Sequence, residues 1–181
     1  MLHKTAEERY QKLRAQFKRL MVHFDRDSLD NFIQTAHSLK DWIRQDSTLN
    51  QHQQDELRRF TIPNGIDWQF CAQIANFQKH ARLSSPRHKS LGVPTLMVKD
   101  IRIMPGSEPG VFFPSQPQRT FGTGDAIVID YEADGKQHSE SAFGFVCRTF
   151  QFFYYIFELA PITSLPERIK AQKNWVELMS D

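Results

Sequence analysis

The residues from Ile66 to Leu83 constrain the fold more than any other stretch. Ile66, Phe70, Ile74, Phe77 and Ala81 recur at helical spacing and make one apolar stripe. Trp68, Ala72 and Ala75 make a second stripe on the opposite side, with small residues that permit close helix approach. A helix apolar on two sides is central rather than superficial, so the rest of the chain is expected to pack around it. Between the stripes, Gln69, Gln73, Asn76 and His80 fall within roughly 60° of each other at about 100° per residue. Buried polar groups need partners, so this seam is either a structural network or a site.

The segments before it read as three further helices. Residues 5–24 carry the stripe Tyr10, Leu13, Phe17, Leu20, Met21 and Phe24, and Thr5 and Glu8 have capping-box spacing. Lys12, Arg14, Lys18 and Arg19 line the remaining surface, as a solvated face does. Asp27 or Ser28 is expected to cap a second helix running to about Asp46, with Leu29, Phe32, Ile33, Ala36, Leu39 and Ile43 as its core stripe. His37 and Asp41 lie four apart, off that stripe and within reach of each other. A short third helix covers about Asn50 to Phe60, anchored by Leu57 and Phe60, and Pro63-Asn64-Gly65 is a turn.

After Leu83 the character changes. Ser84 to Lys89 is a basic loop. Thr95 to Met104 alternates apolar and polar residues with one slip at Lys99-Asp100, which predicts a strand with an irregularity there. The segment from Pro105 to Gly124 is a long loop, with room for one short strand at Val111-Phe112-Phe113. Ala126–Glu132 and Lys136–Ala142 flank Ala133-Asp134-Gly135, a strong hairpin signal. Ser141 to Leu159 is the last long helix, aromatic on nearly every face. Ser164, Pro166 and Glu167 mark the start of a short terminal helix. The expected fold class is therefore mainly α: a helical bundle with a small antiparallel β insertion before the last long helix. One domain over residues 1–181 is expected, with a helical part at 5–83, the insertion at 94–142 and closing helices at 142–178.

Composition narrows the function classes. A net charge of +2 does not by itself force a polyanionic partner. Cys71 and Cys147 each sit in an apolar helical run, which suits reduced core thiols in a cytoplasmic protein better than a disulfide. The first residues are charged and hold no apolar run, so a signal peptide is not expected. Arg148, Gln151 and Glu158 interrupt the Phe-rich run from Phe143 to Ala160, which therefore reads as a core helix and not a membrane span.

Two stretches together resemble a poorly characterised bacterial protein family. The run from Phe32 to Ile43, containing Ser38-Leu39-Lys40-Asp41-Trp42, resembles that family's His-Leu-x-Asp-Trp helix. Cys71 to Leu83, containing Ala75-Asn76-Phe77-Gln78-Lys79-His80, resembles its Cys-x-Asp-Leu-Ala-Asn-x-x-Lys-His helix. Here Ser38 stands where the family has its first histidine, His37 lies one position earlier, and Gln73 replaces an acidic residue. The family's folds look like HEPN domains, helical bundles of prokaryotic toxin, defence and RNA-processing proteins. The resemblance implies a HEPN-like bundle that binds or scaffolds, as an accessory part of a defence or toxin–antitoxin system. It also implies pairing, as a homodimer or with a protein partner. Catalytic HEPN nucleases share an Arg-x(4–6)-His element on a helix. The nearest match here, Arg82 to His88, contains Pro86, which does not continue a helix.

The competing reading is a metal-independent endoribonuclease. Such chemistry needs a base near the 2′-hydroxyl and a cation near the phosphate. His80, Lys79 and Arg82 supply those groups, and Asn76, four residues before His80, is placed to orient it. No Asp or Glu occurs between Asp67 and Asp100, while Lys79, Arg82, Arg87, His88 and Lys89 do. These five are the candidate RNA contacts, although an ordinary basic loop has the same composition. His37, His80, His88 and Cys71 have no metal-ligand spacing, and Gly122-Thr-Gly124 lacks the lysine and following helix of a phosphate loop. No metal and no cofactor are expected.

Overall fold

The computed structural model describes residues 5–61, 71–75, 97–104, 123–124, 126–133 and 135–161, with 167, 170 and 173. Helix α1 (Ala6–Val22) starts at Thr5, whose hydroxyl accepts from the Glu8 N–H at 3.2 Å. Tyr10, Leu13, Phe17 and Leu20 are buried along one face, as their spacing predicts. The helix stops before Phe24, which is buried from a two-residue strand β1 (His23–Phe24).

Helix α2 (Arg26–Gln45) is capped by Asp25, not by Asp27 or Ser28. The Asp25 carboxylate accepts from the Ser28 N–H at 2.8 Å and from its hydroxyl at 2.7 Å. The physical reason is the early end of α1. Once the chain extends at His23 and Phe24, the next acceptor able to reach the free N–H groups of the new helix is Asp25. All six residues of the expected α2 stripe are fully buried.

Helix α3 (Gln51–Thr61) has a reciprocal cap: Asn50 Oδ1 accepts from the Gln53 N–H and Gln53 Oε1 accepts from the Asn50 N–H. Leu57 is buried. Of the central stretch, residues 71–75 are described. They are helical (α4), with Cys71, Ile74 and Ala75 buried.

The sheet has three antiparallel strands in the order β2 (Met97–Met104), β4 (Ala126–Ala133), β5 (Lys136–Ser141). Its register slips between Val98 and Asp100, at the place where the alternation slips in sequence. Gly135 adopts φ +73° in the β4–β5 turn, as the Asp-Gly signal requires. A short strand β3 (Thr123–Gly124) pairs in parallel with β1. One face of the sheet buries Val98, Ile127 and Ile129 against the core. The other carries polar side chains bonded to one another, including Asp130 between Arg102 and Ser139. Those two hydrogen bonds hold the Asp130 carboxyl below the usual carboxylate range.

Strand β5 runs directly into α5 (Ala142–Tyr154), followed by one π-helical turn at Tyr155–Leu159. Helix α5 is buried on most sides, and its Thr149 hydroxyl lies 4.0 Å from Cys71 Sγ of α4. Four rings stack in a column between α1 and the last helix, in the order Phe17, Phe150, Tyr10, Phe157. Their centroids are 4.1, 6.2 and 4.5 Å apart, and successive planes lie within 10° of parallel. The rings alternate between helices because 10 and 17, like 150 and 157, are two turns apart. In the π turn, the Ile156 carbonyl accepts from Gln53 Nε2 of α3 at 3.2 Å. Both cysteines are buried outside any disulfide, and burial pushes the Cys147 thiol up to about 12. Among the described residues, no helix is long and apolar enough to cross a membrane.

Candidate functional site

The described residues form a polar cleft of about 270 Å³ along the flank of the α1–α2 pair, with Ala75 of α4 at its side. Helix α1 contributes Arg9 and Lys12, three residues apart and so on one side of the helix. Helix α2 contributes Asn31, Gln34, Thr35, His37 and Ser38. These positions border the two apolar stripes, which is why they meet: packing the stripes brings the flanks of both helices side by side.

Arg9 is anchored at two points in the cleft. Its Nε donates to Ser38 Oγ at 3.0 Å, and its guanidinium lies over the Trp42 ring, 5.2 Å from the centroid. Ser38 in turn lies 3.0 Å from the Gln34 and Thr35 carbonyl oxygens. A hydroxyl has one hydrogen, and the carbonyls accept it, so the serine oxygen is left as an acceptor for arginine. Lys12 is exposed and forms no ion pair among the described residues. Among the described residues the lining holds no carboxylate. Asp41 is exposed and outside it. Its charge acts instead on Lys40, whose ammonium burial pushes below its ordinary value, with Asp41 opposing that shift.

The sequence-predicted residues Asn76, Lys79, His80, Arg82, Arg87, His88 and Lys89 lie outside the described residues, as do Gln69 and the Val111–Phe113 segment. Of the expected polar seam, Gln73 is described and half-buried. Of the pair His37–Asp41, the histidine lies in the cleft. The cleft therefore centres on residues that periodicity alone assigns to a solvated face. Arg9 carried no mark in the sequence beyond its place three residues before Lys12. Of the four cations assigned to that face, Arg14 pairs with Glu158 at 3.2 Å and Lys12 lines the cleft.

A second polar cluster joins α1 to the end of the chain's last long helix. The Tyr10 hydroxyl donates to Glu158 Oε1 at 3.1 Å, beside Arg14. Burial first, then the neighbouring Glu158 carboxylate, pushes the Tyr10 phenol far up, so it stays protonated and donates. This cluster holds the π turn against α1. Among the described residues, no group of three or more His, Cys, Asp or Glu side chains is placed to hold a metal ion. None of the protein-family models, curated proteins or solved structures compared with the chain matches it.

Proposed function

We propose that this chain is a cytoplasmic bacterial protein of HEPN-like fold, one domain over residues 1–181, that binds or scaffolds rather than catalyses. The family and the defence or toxin–antitoxin context rest on the two stretches around Leu39-Lys40-Asp41-Trp42 and Asn76 to His80. The mainly helical architecture with its small antiparallel sheet supports them. The observation that carries the binding role is the cleft on α1 and α2. Its described lining joins two cations to amides and hydroxyls without a carboxylate, a composition that grips an anion. RNA is a fitting partner, with Lys79, Arg82, Arg87, His88 and Lys89 as further contacts. The bundle acts as a homodimer or with a protein partner.

The second reading, a metal-independent ribonuclease, gains from one observation: His37 shares the cleft with Arg9 and Lys12. A base and two cations in one cleft are the groups that cleavage next to a 2′-hydroxyl needs. An RNA-cleavage assay in EDTA separates the readings, run on wild type, His37→Ala and His80→Ala with a thermal melt of each. No cleavage by wild type is expected. EDTA-resistant cleavage that disappears in a stably folded histidine variant would replace binding by catalysis. Light scattering tests the association: a monomer at micromolar concentration, with no partner recovered, would reject it.

A further inference from the structure

We infer that the α1–α2 cleft is a phosphate site, which holds one phosphate group, free or esterified to a ribose, between the Arg9 guanidinium and the Lys12 ammonium. This rests on the reading of the cleft as a binding site and narrows its ligand.

Three features select phosphate over other ligands. The first is anchoring. Ser38 takes one of the five guanidinium donors and the group sits over the Trp42 ring, so the fork is held before a ligand arrives. An arginine already fixed loses less freedom on binding than one recruited from solvent. The second is uncompensated charge. Lys12 is three residues from Arg9 on the same side of α1, and among the described residues no acid lines the cleft to neutralise either cation. A cationic ligand is repelled and a neutral one leaves the charges unused, whereas a phosphate satisfies both. The third is size. At about 270 Å³ the cleft lies just below the roughly 300–1,000 Å³ of typical small-molecule sites. That suits a phosphate with one sugar inside the cleft. The neutral groups beside the cations, Gln34 and Thr35 among them, are of the kinds that contact phosphate and sugar oxygens.

The full chain is titrated with inorganic phosphate, adenosine 5′-monophosphate and adenosine by calorimetry, and with a fluorescein-labelled single-stranded RNA by anisotropy. Arg9→Gln and Lys12→Gln are compared with Lys18→Gln, which removes the same charge from an exposed position of α1 outside the cleft. A phosphate-bearing probe is expected to bind and adenosine is not. Each cleft variant should weaken binding about tenfold or more, the usual scale for a lost charge-assisted hydrogen bond. Lys18→Gln should change it less than about twofold, as a surface charge screened by salt does. If Arg9→Gln does not fold, the exposed Lys12 still carries the test. Binding of the mononucleotide would identify a free nucleotide as the source. Binding of RNA alone, weakened by the same two variants, would identify a strand phosphate. Either supports the site. RNA binding that Arg9→Gln and Lys12→Gln leave unchanged overturns the phosphate site while leaving the binding role standing elsewhere. Equal loss in Lys18→Gln, or adenosine binding as tightly as its monophosphate, overturns the site as well. If no probe binds, both the site and the reading of the cleft as an anion-binding site fall.

Discussion

Phe150 is fully buried and stacks on Phe17 at 4.1 Å, the shortest spacing in the column. Replacing it with alanine removes a core ring and leaves a cavity, a change that costs about 3–5 kcal/mol. For a chain of this size each kcal/mol lowers Tm by about 2–4 °C, so a fall of about 6–20 °C is expected. That number alone does not distinguish stacking from lost volume, and a double-mutant cycle does. Urea denaturation followed by circular dichroism is measured on wild type, Phe17→Leu, Phe150→Leu and the double variant. An aromatic pair in contact contributes about 0.5–1.5 kcal/mol beyond the area it buries, so a coupling of that size is expected. A parallel cycle with Tyr10→Leu and Phe150→Leu should give a smaller value, because those rings are 6.2 Å apart. Additivity within about 0.3–0.5 kcal/mol for Phe17 and Phe150 would refute the column as a stabilising unit and reduce it to hydrophobic burial.

Phe153 is fully buried, and Phe153→Asp should abolish cooperative unfolding by placing an unpaired charge in the core; a cooperatively folded variant would count against this packing of α5. Gln53→Leu should cost about 1–3 kcal/mol, since it leaves the Ile156 carbonyl unbonded and removes one half of the α3 cap. Gln53→Glu keeps the cap acceptor but not the donor, so a melt matching wild type would show that the Ile156 bond contributes nothing. Burial raises the Asp46 carboxyl, but hydrogen bonds from the Thr48 hydroxyl, the Ala6 N–H and the Thr48 N–H outweigh it and hold the group below its usual range. A depressed folded value gives stability that is present above the unfolded value near pH 4 and is lost as pH falls through the folded one. The stability gap between wild type and Asp46→Asn should therefore be full at neutral pH and close on acidification. A gap independent of pH would show that charge is not what Asp46 contributes.

Periodicity made α1 and α2 legible, because each apolar stripe maps directly onto the buried face. The Lys99 irregularity and the turn at Gly135 were legible for the same kind of reason: each is a local break with one cheap backbone solution. The α2 cap was not, because Asp25, Asp27 and Ser28 are all competent caps and the choice among them depends on where α1 releases the chain. The π turn at Tyr155–Leu159 was not either. Its residues suit an α-helix equally well, and the bond from the Ala160 N–H to the Tyr155 carbonyl is favoured by packing on Tyr10 and Gln53, both distant in sequence. The cleft was hidden by the same logic that revealed the core. Hydrophobic spacing separates inside from outside, but it does not say which outside flank a neighbouring helix will close over. Lys12 is expected on a solvated face and Arg9 carries no mark of its own, while Ser38 is marked only as a departure from a family pattern.

The bond from the Ala6 N–H to Asp46 Oδ2, at 2.7 Å, spans 40 positions. The first N–H groups of any helix lack partners within it, so helix ends ordinarily fray independently. Here the donor belongs to the first turn of α1 and the acceptor to the residue that ends α2. Fraying at one end therefore releases the other. Amide exchange near Ala6 should follow the opening of the α2 terminus, and the two should slow or quicken together when either is altered. On the timescale of exchange, residues 6–46 behave less as two helices than as a closed loop with a single latch.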